Sequence, residues 1–211
     1  MKAYIAQYQK KIFRKEATFC SFIVFVGSMK TKFLSDLAEI RFGINTRTSD
    51  HGNIPCVQGK DFDDFGQLQT AGLSYISEDQ CKDTDFLQPG DVLFAAKGAR
   101  NYAVCWTGQL SKAVASSTFF VVRNFTDSVL PDYLAWFLMS AKAGRYFEQN
   151  VKLATVRTIS KKVMENLKIP VSNANHQNDI LQLSLLWRKE KLLTTKIQHK
   201  YDYLIRHIEP S

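Results

Sequence analysis

The chain is poor in the residues that build metal and nucleophile chemistry. Its 211 residues hold four cysteines, Cys20, Cys56, Cys81 and Cys105, and four histidines, His51, His176, His199 and His207, all widely scattered. No CxxC pair and no Cys/His grouping has zinc-ligand spacing, so the cysteines read as reduced thiols, mostly buried, and neither a metal nor a cofactor is expected. GxxxxGK[ST], HExxH and Asn-Pro-Pro-aromatic are all missing, and no Ser-His-Asp or Cys-His arrangement is signalled. Pro131-Asp132 followed by Glu148 and Lys152 could suggest a nuclease, but no lysine stands two residues after Glu148, as that metal-site pattern needs. Pro131 and Asp132 are better read as a first helical turn, where an acidic side chain favours the dipole.

Long apolar runs are also missing. The apolar core of "TFCSFIVFVGS" is well short of the roughly 20 residues of a membrane span. Preceded by the basic "MKAYIAQYQKKIFRKEA", it resembles a signal peptide with an overlong charged part and a short core. Residues 1–28 fit an upstream extension or an early start codon better than a packed helix, and a packed helix better than an export signal. No membrane partner and a cytoplasmic location are expected.

Positive charge is abundant and unevenly placed. The net charge is +8, yet residues 29–140 hold 10 Lys/Arg against 13 Asp/Glu. Residues 141–170 hold 7 against 2, and residues 1–28 hold 5 against 1. Clustered cations of this kind suit a polyanion; the plainer reading of Lys161, Lys162 and Lys168 is a solvated surface.

The pattern of elements is mixed α/β. In "FLSDLAEIRFGINT", Leu34, Leu37, Ala38 and Ile40 make one helical face that Ser35 or Asp36 caps and Gly43 ends. "IPCVQGKDF" reads as a strand running into a Gly-Lys loop, and Leu73–Ile76 as a short strand. Residues 78–91 are acidic and loop-like. "DVLFAA" and "YAVCWTG" read as a hairpin across Lys97–Asn101, followed by a strand at Thr118–Val122. A helix starts at Pro131 with Leu134, Phe137, Leu138 and Ala141 in step, then a basic loop, a short helix around Ser160–Leu167 and a strand at Lys168–Val171.

Between Gln177 and Ile208 there is no glycine or proline. Leu183, Leu186, Leu193, Ile197, Tyr201, Leu204 and Ile208 step by three, four or seven, with Glu190 at the missing apolar position. This is one helix of about 30 residues, about 45 Å long. A narrow stripe of that length calls for a partner helix, since a domain of this size has no face long enough to cover it.

Four polar loops remain as candidate contacts: Asn45, Thr46, Arg47 and Thr48; then Gln58, Gly59 and Lys60. The other two are Lys97, Arg100, Asn101 and Tyr102, and Lys152, Thr155, Arg157, Thr158 and Lys161. Arg and Lys can donate to guanine edges, Asn and Gln pair with adenine, and Lys and Thr hold phosphates. Each group alone is what an exposed turn looks like; four around one sheet say more.

The residues "LQPGDVLFAAKGARNYAV" carry L-x-PGD-[VI]-L-x-x-x-x-G, and "ISKKVMENLKIP…QNDI" carries I-x(7)-L-x-I-P…Q-x-x-I. Together with "LSDLAEIRFGINTRTSDHGNIPCVQGKDF" and "ASSTFFVVR", in order over about residues 31–200, they resemble half of the specificity subunit of a type I restriction–modification system. The resemblance implies 29–172 as a mixed α/β target recognition domain and 173–211 as a spacer helix paired in an antiparallel coiled coil, while residues 1–28, read above as an extension, have no counterpart in it. It implies a non-catalytic subunit that directs a DNA methyltransferase, with or without a restriction/translocase subunit, to one half of a bipartite double-stranded site. Family members usually carry two recognition domains, so this chain would pair with itself or with a second half-subunit. The proline-rich start of the family's spacer helix is replaced by "VSNANHQND". The competing reading is a regulatory module that binds the methyltransferase or another specificity subunit without reading DNA.

Overall fold

The computed structural model describes residues 29–48, 52–63, 66–98, 101–150 and 158–208. The reading of residues 1–28 lies outside them. Within that range the order is β1 (Lys30–Phe33), β2 (Glu39–Phe42), β3 (Ile54–Val57), β4 (Ser74–Ile76), β5 (Val92–Ala95), β6 (Ala103–Cys105), β7 (Val114–Ala115) and β8 (Phe119–Arg123). Helices α1 (Pro131–Leu138), α2 (Ala141–Asn150) and α3 (Lys161–Glu165), strand β9 (Lys168–Val171) and the long α4 (Ala174–Ile208) follow.

β2, β8, β5 and β6 form a four-stranded antiparallel sheet in that order. In β4-β3-β7, β3 runs antiparallel to β4 and parallel to β7. β1 pairs with β9. Every residue of β5 and β8 is buried, which explains why their sequences, VLFA and FFVVR, are continuous rather than alternating. On one face Leu93, Ala95, Phe119 and Val121 join Val57, Phe62, Tyr102 and Trp106 in the core. On the other, Phe94 stacks on Phe147 of α2 with ring centroids 5.0 Å apart, and α1 lies against β5 and β6. The mixed α/β fold and the long terminal helix agree with the sequence reading, as does the hairpin, where Val92, Leu93 and Phe94 pair with Cys105, Val104 and Ala103.

One expected helix is absent. Leu34–Asp36 is a single 3₁₀ turn, after which the chain extends as β2, pairing Ile40 with Val122. Leu34, Leu37 and Ile40 are all buried as the apolar spacing demands, but one tight turn plus an inward-facing strand residue meets that spacing as well as a helix does. The helix expected from Pro131 divides. Asp132 lies in the first turn of α1, and Ser140 starts α2 by accepting from Ala143 N at 3.3 Å. The third strand is shifted by one residue, to Phe119–Arg123.

Candidate nucleic-acid interface

The four polar loops begin or end at backbone groups that are hydrogen-bonded to one another. Ile44 N donates to Ala115 O at 2.8 Å, and Ser116 N to Val57 O at 2.9 Å. Ala96 N donates to Thr118 O, and Ile159 N to Ala96 O, both at 2.9 Å. Residues 45–48 follow Ile44, 58–60 follow Val57, the hairpin tip follows Ala96, and the basic loop ends just before Ile159. The Ser116–Thr118 turn is therefore the hub of a single rim from which all four segments leave. Lys97 also forms an isolated antiparallel bridge with Thr158, which joins the hairpin to the end of the basic loop. Sequence reasoning did not single out Ser116 and Thr118, whose hydroxyls are 2.7 Å apart; the small, polar "ASST" ahead of an apolar strand was the available signal.

The side chains divide by what they do. Arg47, Lys60 and Lys97 are exposed, and Thr46 is half-buried. Lys60 Nζ lies 3.5 Å from Ser74 Oγ. Lys161 opens α3 behind the Ser160 cap and lies 3.8 Å from Glu165. Asn101 instead closes its own hairpin, its amide donating to Ala95 O at 2.8 Å. Tyr102 does not fit the expected outward-facing role: it is buried, with ring centroids 5.9 Å from both Phe62 and Phe119. Its hydroxyl donates to Gly59 O at 2.8 Å, so it fixes the Lys60 turn against the hairpin from below. Asp61 supports the same turn, accepting from Gln58 N at 2.7 Å, while its burial holds the carboxyl above the usual range. Arg100, Lys152, Thr155 and Arg157 lie outside the described residues.

Beneath the rim, Pro89-Gly90-Asp91 acts as an anchor. Gly90 takes φ of 93°, which favours glycine, and turns Asp91 inward. The Asp91 carboxylate accepts from Gln88 N at 2.8 Å and from Arg123 Nε and Nη2 at 3.1 and 2.6 Å. Arg123 also donates to Thr84 O and Phe86 O, both at 3.0 Å, so it clamps the acidic 78–91 segment onto β8. The sequence reading named the Asp91 turn but not its partner.

A second surface lies on α4. Gln177, at its start, is buried; it accepts from Leu130 N at 2.9 Å and donates to Ser128 O and Ser172 O at 2.9 and 2.7 Å. Gln177, Ile180 and Ser184 seat the first turns on the domain. The pairing residues named from sequence, Leu183, Leu186, Leu193, Ile197, Tyr201 and Leu204, are each 44% exposed or more. The side chain of Ile208 is outside the described range.

Among the described residues no group of three or more His, Cys, Asp and Glu could hold a metal ion, and no helix is long and apolar enough to cross a membrane. Cys56 is buried, while Cys81 and Cys105 are half-buried. Burial pushes the Cys56 thiol up to about 11, and burial with Asp132 nearby pushes Cys105 up to about 12, so neither is a ready nucleophile.

Comparison with known proteins agrees with this architecture. Three solved structures share the fold. The first comes from work on complex assembly and conformational transition of the type I R-M system (17% identity, TM-score 0.61, 98% of this chain and 54% of that one). The second is the HsdS subunit from Thermoanaerobacter tengcongensis (17%, 0.50, 97% and 50%). The third is the type I restriction-modification system S subunit from M. genitalium (14%, 0.53, 84% and 44%). The chain thus spans about half the length of the solved structures it matches. A search of curated proteins finds no match. A family model for the type I restriction modification DNA specificity domain matches residues 27–198, and the chain belongs to that family.

Proposed function

We propose that the chain is a sequence-specific DNA-binding subunit that directs a type I methyltransferase complex to one half of a bipartite site. Residues 29–172 would read the half-site, and 173–211 would pair with the corresponding helix of a second half-subunit. The observation that carries this is the convergence on one rim of the segments bearing Thr46, Arg47, Lys60 and Lys97, with the end of the basic loop joined to them at Thr158, and Lys161 two residues beyond Ile159 in α3. Loops held by a rigid sheet can enter a groove without each bearing the entropy of ordering alone. Lys60 and Lys97 suit phosphates, and the exposed Arg47 fork suits a guanine edge. Asn101 and Tyr102 shape the rim from within. The chemistry belongs to the methyltransferase, which makes this subunit non-catalytic and places it with its DNA in the cytoplasm.

The test is to co-purify the chain with the methyltransferase encoded beside it and map methylated adenines with and without this gene. A changed set of sites supports the reading. An unchanged set, with co-purification intact, overturns it in favour of a module that binds the methyltransferase without reading DNA. A finer measurement uses Lys60→Ala, Lys97→Ala and Lys161→Ala together. Removing one phosphate-binding lysine is expected to lower the slope of log K against log salt by about 1, so the triple variant should lower it by about 3. A slope that stays unchanged removes these lysines from the interface.

A further inference from the structure

The base of α4 is held to the domain by a polar pin as well as by apolar packing. Gln177 is 1% exposed, and its amide joins two segments of the domain to the helix. Its oxygen accepts from Leu130 N, just ahead of α1, and its nitrogen donates to Ser128 O and to Ser172 O, just ahead of α4. One orientation of the amide satisfies all three, because one partner is a donor and two are acceptors. Tyr133 of α1 donates to Pro170 O at 2.9 Å and ties the end of β9 to the same place. Asn173 Oδ1 accepts from His176 N at 2.9 Å and closes the start of the helix. Ile180 and Ser184 continue the seated face. Every residue from Arg188 to Tyr201 is exposed, so the direction of α4 is set at its base.

We propose that Gln177 is the positioning residue that fixes the direction in which α4 leaves the domain, and through it the number of base pairs allowed between the two half-sites. This rests on the proposed reading in which two half-subunits are joined through α4. Apolar contacts are not directional, so Ile180 alone tolerates a small rocking of the helix. Rocking at Gln177 instead breaks at least one of three hydrogen bonds and leaves a buried amide or carbonyl unpaired. From Arg188 to its end α4 is a lever of about 30 Å. A turn of about 7° at the base moves its tip by about 3.5 Å, close to one base-pair step along DNA. Three directed bonds at the base are therefore enough to separate one spacing from the next. Ser128, Leu130 and Ser172 lie outside the four loops of the rim, so loosening the pin alters the distance between the two readers and not what each one reads.

The test is to express the full chain with the methyltransferase encoded beside it, as wild type, Gln177→Met and Gln177→Glu, and to map the methylated adenines. Gln177→Met keeps the length of the side chain and removes all three bonds. Gln177→Glu keeps the bond from Leu130 N but sets a carboxylate oxygen against Ser128 O and Ser172 O, and it keeps the test open should the apolar variant fail to fold. Wild type is expected to methylate two half-sites at one spacing. The variants are expected to methylate the same half-sites also at spacings one base pair or more away, with the preference for the original spacing reduced about tenfold. A residue that only stabilises the fold would lower methylation at every site alike and leave the spacing as it was. That result overturns the proposal, as does wild-type behaviour of both variants. If the gene directs methylation to two half-sites and the spacing never changes, the role of Gln177 alone fails. If the gene leaves the methylated adenines unchanged, the DNA-directing reading fails and this proposal falls with it.

Discussion

Arg123→Leu is expected to destabilise the fold by about 3–5 kcal/mol, a large share of what holds a domain of this size together. The Arg123 and Asp91 side chains are 8% and 3% exposed, so removing the guanidinium leaves a carboxylate in the interior that keeps its bond from Gln88 N but loses its cation. It also leaves the carbonyls of Thr84 and Phe86 without their donor. Most of the loss comes from that uncompensated charge rather than from the pair's own attraction. Adding Asp91→Asn to Arg123→Leu should therefore recover about 1–2 kcal/mol, since the neutral amide can still accept from Gln88 N. Urea unfolding followed by tryptophan fluorescence measures both variants. A loss under about 1 kcal/mol for Arg123→Leu would mean that water reaches the Asp91 site and screens it.

That pair marks the boundary of what the sequence made legible. The Pro89-Gly90-Asp91 turn could be read because proline and glycine punctuate the chain locally, and β5 and β6 because a hairpin joins residues close in sequence. Arg123 lies 32 residues from Asp91, and nothing near it distinguishes a buried cation from a solvated one at a strand end. The same limit governs the rim. The loops were visible as polar clusters, but their convergence depends on Ser116–Thr118, where strands remote in sequence meet. Tyr102 was misread for a related reason. An aromatic in a cationic turn reads as a candidate contact, and only the fold shows the ring packed against Phe62 and Phe119, which also touch each other. The long helix was the most legible element because its signal, 35 residues without a breaker and with an apolar repeat, is entirely local.

Gly43→Ala is expected to cost about 1–3 kcal/mol and to disturb DNA recognition together with stability. The sequence suggested a helix-ending glycine, but this residue is needed for close approach. A Cβ there would lie 2.2 Å from Ser116 O and 2.5 Å from Ala115 O, both backbone atoms that no side-chain rotation can move. To admit the methyl, the chain at Gly43 must separate from the Ala115–Ser116 segment, lengthening the Ile44 N to Ala115 O bond and shifting the Ser116 hub. The segments after Ile44, Val57 and Ala96 leave from that hub, so a displacement of a few tenths of an ångström reaches the Arg47, Lys60 and Lys97 positions together. Gly144→Ala is the matching control: nothing lies within 4 Å of the added carbon, and the site is inside α2. There alanine is expected to stabilise by about 0.5–1 kcal/mol through helix propensity and a less flexible unfolded chain. Opposite signs in urea unfolding, with selective methylation abolished only for Gly43→Ala, would tie recognition to the hub rather than to overall stability. Equal effects of the two substitutions, or normal site choice by Gly43→Ala, would separate the loops from the hub and return them to independent surface turns.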